Sequence, residues 1–135
     1  MYVKTFVFLS AILLIVNTTS AQTHFSADKL EFSTQNNIEV IQLDTDERCS
    51  SFGIKVKDSV RVHFHQWHTE SLQVIKGEAT MQLGDSSIQI KVGDFVVIPP
   101  ETIHAVKVSS KTPLEVISIQ APEFKGEDRH FITGH

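Results

Sequence analysis

The sequence predicts an all-β protein, and two observations lead to this prediction. Short stretches in which apolar and polar residues alternate recur along the chain, and turn-forming residues separate them at intervals of about 6 to 12 positions. Beyond residue 21, no stretch of helical length has apolar residues at a 3.6-residue period. Together these features indicate a sandwich or barrel of antiparallel sheets.

The predicted elements follow one another with short connections. Residues 22–35 are polar and predict an extended lead-in or edge strand, and Asn36-Asn37 is a turn signal. The strands themselves are predicted at 38–43, 52–56, 60–65, 72–76, 79–83, 88–92, 95–98, 103–108 and 114–119. The tail from Pro122 is polar and is predicted to be loosely structured.

Size and composition limit the class of protein. A chain of 135 residues has room for one domain, and its 41% hydrophobic and 21% charged residues exclude disordered, collagen-like and multi-span membrane classes. The net charge of −4, without a run of Lys or Arg, predicts no nucleic-acid partner. The single cysteine, Cys49, cannot form an internal disulfide.

The first 21 residues are predicted to be a signal peptide. Lys4 supplies a positive start, residues 6–16 form an apolar run, and Thr19-Ser20-Ala21 offers small residues for cleavage after Ala21. The apolar run is shorter than the roughly 20 residues of a membrane span, although an uncleaved anchor is the alternative. The expected product is a domain of residues 22–135 in the periplasm or outside the cell, without a stable membrane span.

Four side chains have the chemistry of a metal site. His63 and His65 are two apart on a predicted strand and so share a face, Glu70 follows at the start of the next strand, and His104 lies on a later one. Three imidazoles and one carboxylate suit a divalent transition metal (Fe, Mn, Ni, Cu or Zn) better than Ca²⁺ or Mg²⁺. A six-coordinate ion would keep two positions for water or substrate.

These residues lie in a pattern that resembles the cupin family. The first family motif (His-x-His, Glu, six residues, Gly) is matched by His63, His65, Glu70 and Gly77, and the second by Gly93, Pro99 and His104. The resemblance covers about residues 50–120. Three positions depart from the family pattern, where Lys57 and Glu101 replace glycines and Val108 replaces an asparagine.

The resemblance implies a small double-stranded β-helix, also called a jelly-roll barrel, as one cupin domain within residues 22–135. It implies a metal in the mouth of the barrel, bound by His63, His65, Glu70 and His104, and it makes a homodimer an expected assembly. Glu70 is a ligand in this scheme and a candidate base in catalysis.

Two further residues are predicted to lie near the ion. By strand alternation Arg61 points to the side of His63 and would meet a substrate carboxylate or enolate, the alternative being a place at the solvent-exposed rim. His68 is predicted to contact substrate or a metal ligand, with proton transfer and direct ligation as alternatives. The remaining histidines, His24, His130 and His135, are predicted to be solvated.

Two hypotheses for function are open, the first from the resemblance and the second from the lack of a clear general base beyond the ligands. The first is an enzyme that acts on a small organic molecule by metal-centred chemistry, either as a dioxygenase or as an isomerase or tautomerase of a sugar-derived keto compound. The second is a binding module that holds a metal or a small ligand without turnover.

Overall fold

The structure, a computed structural model, describes residues 23–33 and 35–132. The predicted signal peptide and its cleavage site after Ala21 lie outside the described residues. Within the described ranges, one 3₁₀ turn at Ala27–Lys29 is followed by ten strands. The strands are β1 (Ile38–Thr45), β2 (Ser50–Val56), β3 (Ser59–Phe64), β4 (Thr69–Lys76), β5 (Glu78–Leu83), β6 (Ser86–Lys91), β7 (Phe95–Ile98), β8 (His104–Val108), β9 (Leu114–Ala121) and β10 (His130–Phe131).

The strands form two antiparallel sheets of five strands each. The first sheet has the order β1-β2-β9-β4-β7 and the second the order β10-β3-β8-β5-β6. Consecutive strands therefore often lie in different sheets, as in a double-stranded β-helix. The predicted fold class is confirmed.

The core lies between the two sheets and consists of the inward residues of the alternating pattern. β4 and β9 are the clearest examples, because every second residue of each strand is buried. The largest fully buried apolar side chains are Met81, Ile98, Leu114 and Val74.

Gly77 connects β4 in the first sheet to β5 in the second, at a position that only glycine fits. Its φ of +76° lies in the left-handed region. A Cβ atom there would lie 2.5 Å from the carbonyl oxygen of Pro113. The glycine of the first sequence motif is therefore explained by this close approach.

The two ends of the described chain compare differently with the sequence prediction. Of the two alternatives for the lead-in, the edge strand is not formed by its described residues, which contain the 3₁₀ turn. The tail, predicted to be loosely structured, contains β10, which pairs with β3, and the buried side chain of Asp128. His130 is not solvated as predicted, since it is half-buried and its ring stacks on Phe64 at 5.1 Å between centroids. Along the described part of the chain, no helix is long and apolar enough to cross a membrane.

Candidate metal centre

Three buried histidines meet between the sheets at one end of the core. His63 on β3 and His104 on β8 are direct partners in the strand register, and His65 follows one residue beyond the end of β3. One ring nitrogen of each lies within 4.8 Å of the others. The sequence prediction that these three residues converge agrees with this geometry.

Backbone carbonyls hold all three rings. Nδ1 of His63 donates to the carbonyl oxygen of Arg61 at 2.8 Å, and Nδ1 of His104 donates to that of Thr102 at 2.9 Å. Nδ1 of His65 donates to the carbonyl oxygen of Asp128. Because a carbonyl oxygen only accepts, each Nδ1 carries a proton, and each neutral ring keeps its Nε2 lone pair for a ligand.

Glu70 approaches the histidines from the other sheet, on β4. Its Oε2 lies 3.4 Å from Nε2 of His65 and 3.4 Å from Nε2 of His104. Its Oε1 accepts hydrogen bonds from Ser118 Oγ at 2.6 Å and from Gln120 Nε2 at 3.2 Å. Two neighbours on β9 therefore hold one carboxylate oxygen and leave the other facing the imidazoles.

The surroundings shift the pKa values of three residues of the cluster, Glu70, His63 and His65, in different directions. Burial raises the pKa of Glu70, but the imidazoles of His104 and His65 and the hydroxyl of Ser118 outweigh this effect and lower it far below its usual range. Burial and the neighbouring His104 lower the pKa of His63 to about 4. Burial also lowers the pKa of His65, but the Glu70 carboxylate and the Asp128 carbonyl outweigh it, so this pKa is raised. Glu70 is thus anionic and His63 neutral at pH 7.

The cluster fits a metal ion in two respects, the chemistry of its imidazole nitrogens and the lack of a hydrogen-bond partner for two of them. Nε2 of His65 and Nε2 of His104 are buried and have no hydrogen-bond partner within the described residues. Nitrogens that bind one ion through bonds of about 2 Å are at most about 4 Å apart. The three ring nitrogens here lie within 4.8 Å of one another, which is close to that limit. His63, His65 and His104 could therefore bind a metal ion, and Oε2 of Glu70 lies 3.4 Å from Nε2 of two of these histidines.

Asp128 organises the loop that carries His65 and His68. Its carboxylate accepts hydrogen bonds from the backbone N–H groups of Gln66, Trp67 and His68 at 2.8 to 3.1 Å. Burial raises the pKa of Asp128, but the hydrogen bonds from the His68 ring and these N–H groups outweigh burial and hold the pKa below its usual range. An anchored carboxylate from the tail thus fixes the residues between β3 and β4.

His68 belongs to this anchor. Its Nδ1 lies 2.5 Å from Oδ2 of Asp128, and its Nε2 lies 3.0 Å from the carbonyl oxygen of Glu123. Both ring nitrogens face these oxygens. His68 therefore connects the loop after β3 to the segment after β9, beside the metal centre. Its predicted contact with substrate stays a prediction.

Arg61 lies where a β-bulge interrupts the alternation of β3. Val60 pairs with Val106 and His63 with His104, so one extra residue is accommodated between them and Val60 shares the inward side with His63. Arg61 is exposed, and its guanidinium carbon lies 4.7 Å from the centre of the Phe131 ring. The alternation used to place Arg61 does not continue through the bulge, and its contact with substrate stays a prediction.

A cavity of about 70 Å³ opens beside the cluster. Its polar lining comes from His63, Glu70, His104 and Arg129, and the rest is Val, Ile and Leu. The aliphatic lining residues are Ile38, Val40, Ile54, Val56, Val60, Leu72, Ile90, Leu114, Val106 and Val116. The candidate metal ligands thus face a small and mostly apolar space.

With the fold and this site described, comparison with known proteins identifies the family. Residues 51–120 match the family described as "Cupin domain", and the chain belongs to it. An uncharacterised protein of Aquifex aeolicus is 30% identical over 91 residues, which cover 67% of this chain and 74% of the relative. A quercetin 2,3-dioxygenase of Bacillus subtilis is 34% identical over 53 residues, 39% of this chain but only 16% of that enzyme.

Solved structures agree on the fold. A Klebsiella pneumoniae protein with a double-stranded β-helix domain superposes with a TM-score of 0.72 at 18% identity, covering 84% of this chain and all of that one. KdgF from Halomonas superposes with a TM-score of 0.67 at 18% identity, covering 78% and 97% of the two chains. At this level of identity the likeness concerns the architecture.

Sequence reasoning missed four residues of the site. Ser118 and Gln120 could have been found from the alternation of the last long strand, since both occupy its buried face. Asp128 and Arg129 lie in a polar tail whose pattern gives no periodic signal, and only the fold brings them to the cluster.

Proposed function

We propose that this protein is an exported metal-dependent cupin that acts on a small organic substrate by dioxygenase-type chemistry at one transition-metal ion. His63, His65 and His104 would hold the ion through Nε2, and Glu70 would complete the set. A bound transition metal would supply redox or Lewis-acid chemistry towards dioxygen and an enol or phenol.

One observation carries this proposal. One ring nitrogen of each of the three imidazoles lies within 4.8 Å of the others, each Nδ1 is hydrogen-bonded to a carbonyl oxygen, and a Glu70 carboxylate oxygen lies 3.4 Å from Nε2 of His65 and of His104. Burying such groups without a partner costs free energy, which a metal bond would offset. The identity with part of a quercetin 2,3-dioxygenase supports the choice of oxygen chemistry.

Metal analysis tests the binding site. Protein purified under metal-replete conditions should carry about one divalent ion per chain. His65→Ala and His104→Ala should each lose most of it, because each removes a buried ligand. His24→Ala is the matched control, since His24 is exposed and outside the cluster. Wild-type protein without a stoichiometric ion would refute the proposal.

A second candidate is a non-catalytic module that binds a metal or a small ligand. It is favoured by one feature of the described lining residues: His63, Glu70 and His104 are the only ones among them with a carboxyl or imidazole group, so none of them is a base independent of the metal ligands. Metal-loaded protein should consume oxygen when enolic or phenolic substrates are added. Turnover of uronate-type keto sugars without oxygen uptake would instead indicate an isomerase, and recovery of every substrate unchanged would indicate the binding module.

A further inference from the structure

One cation lies in the wall of the cavity as far as the structure describes it. Among the described lining residues Arg129 is the only Lys or Arg, and its neighbours in the wall, such as Val60, Ile90 and Val106, are aliphatic. Arg129 makes no ion pair with any residue of the described ranges, and its guanidinium carbon lies 5.8 Å from the ring of Phe124. An arginine beside an apolar cavity and without a carboxylate partner is available to an anionic ligand.

The backbone on both sides of Arg129 is anchored. Asp128 is buried and holds three backbone N–H groups of the loop after β3. On the other side, His130 and Phe131 pair with Phe64 and His63 across β10 and β3. The guanidinium therefore extends from a fixed point next to the histidine cluster, which reduces the entropy lost when it binds a ligand.

We propose that Arg129 binds the negatively charged oxygen group of a small organic anion, a carboxylate or enolate, whose apolar body occupies the aliphatic cavity. This inference rests on the proposed function, because it assigns a ligand class to the same cavity. The guanidinium supplies two N–H donors in one plane to that oxygen group, and Val, Ile and Leu side chains exclude water around the rest.

Arg48 provides a matched comparison. Both arginines are exposed, but Arg48, which lies between β1 and β2, is absent from the cavity lining, and Arg129 is part of it. Removal of either charge changes the net charge equally. A difference between the two variants therefore reports position at the cavity and not a general electrostatic effect.

The test uses isovalerate as the anionic probe and isovaleramide as its neutral isostere. Each is titrated into metal-free and metal-loaded full-length protein, with Val and Ile methyl NMR signals as the readout. Arg129→Gln should weaken isovalerate binding about ten-fold or more in both forms, and Arg129→Lys by clearly less. Arg48→Gln should leave the affinity for isovalerate unchanged. Arg129→Gln should leave the affinity for isovaleramide unchanged.

Several results would overturn this assignment. These are equal effects of Arg129→Gln and Arg48→Gln, wild-type binding of isovaleramide as tight as that of isovalerate, or no binding of isovalerate at millimolar concentration. The titration of metal-free protein separates this inference from the proposed function. If metal-free wild type binds isovalerate no more tightly than isovaleramide, the role of Arg129 is refuted even when the protein binds a metal. If the protein binds no metal, the proposed function fails, but the titration of metal-free protein still tests Arg129.

Discussion

Each histidine of the cluster uses one ring nitrogen for orientation and leaves the other for a ligand. The acceptors for His63 and His104 are carbonyl oxygens two residues earlier in the chain, so the local backbone of the strand holds these rings. His65 instead depends on a carbonyl 63 positions away, that of Asp128. Substitution of the Arg61 or Thr102 side chain should therefore disturb the centre less than a change that moves the tail.

The pH dependence of stability is a residue-scale prediction. The pKa of His63 is 6.5 in the unfolded chain and about 4 in the fold, so the unfolded chain binds more protons between these values. The contribution of His63 is therefore fully present above pH 6.5 and is lost as pH falls towards 4. Between pH 7 and pH 5, metal-free wild type should lose about 2 kcal/mol relative to His63→Asn, as measured by urea unfolding.

The comparison with His63→Asn cancels the effect of the other titrating groups on the unfolding free energy, because both proteins contain them. Asn keeps an N–H donor for the Arg61 carbonyl and does not titrate. The raised pKa of His65 acts in the opposite direction, since its contribution is present below pH 6.5, but it is common to both proteins. Identical pH profiles for the two proteins would show that His63 does not carry this effect.

Glu101 adopts a backbone conformation that favours glycine. Its φ is +63°, and its N–H donates to the carbonyl oxygen of His65 at 2.6 Å. The family motif has glycine at this position, so Glu101→Gly should raise the free energy of unfolding by about 1 kcal/mol. Glu101→Ala, which keeps a Cβ but removes the carboxylate, should have no such effect. Equal stabilisation by both substitutions, in urea unfolding, would assign the effect to charge.

At the scale of elements, the segment after β9 completes the site. It leaves the sheet at Pro122, places the Asp128 carboxylate under the loop between β3 and β4, and returns as β10 beside β3. Through one residue it holds the ring of His65, the ring of His68 and three backbone N–H groups. The segment therefore positions a candidate metal ligand that belongs to a different element.

Asp128→Asn should weaken metal binding without removing any ligand. An amide cannot accept from all of the N–H groups that the carboxylate serves, so the loop and the His65 ring lose their orientation. The affinity for Co²⁺, followed by its absorption bands, should fall about 10- to 100-fold. The stability of the metal-free protein should fall by about 2 kcal/mol.

Glu127→Gln is the control for this variant, because Glu127 is exposed and adjacent in sequence. His68→Gln removes one contact of Asp128 and keeps the backbone contacts, so an intermediate affinity is expected. If Asp128→Asn binds Co²⁺ as tightly as the wild type while circular dichroism shows a native fold, Asp128 does not position His65.

For the whole molecule, the sequence allowed prediction of the fold and the location of the cluster. Alternating residues such as those of β4 predicted the strands because each sheet is buried on one face only. The spacing of His63, His65 and Glu70 predicted their convergence because a strand and a short turn hold them at fixed distances. Gly77 belongs to the first sequence motif, and the structure gives the physical reason for this glycine, because the turn there excludes any side chain.

The remaining features depend on long-range contacts that no local pattern encodes. The bulge in β3 shifts Arg61 out of the expected alternation, and it becomes visible only in the pairing with β8. The tail around Asp128 and Arg129 is polar, as surface loops are, yet Asp128 is buried because the loop after β3 offers it unpaired N–H groups. Such complementarity between distant segments cannot be inferred from either segment alone.

The anchoring of His65 by Asp128 also has a consequence for the order in which the site matures. The ribosome synthesises His63, His65, Glu70 and His104 before it reaches Asp128, so the nascent chain contains every candidate ligand while one ring still lacks its support. Until residue 128 has emerged and docked, an ion would meet an incompletely oriented set of donors. Selective metal acquisition is therefore expected to follow the docking of this segment.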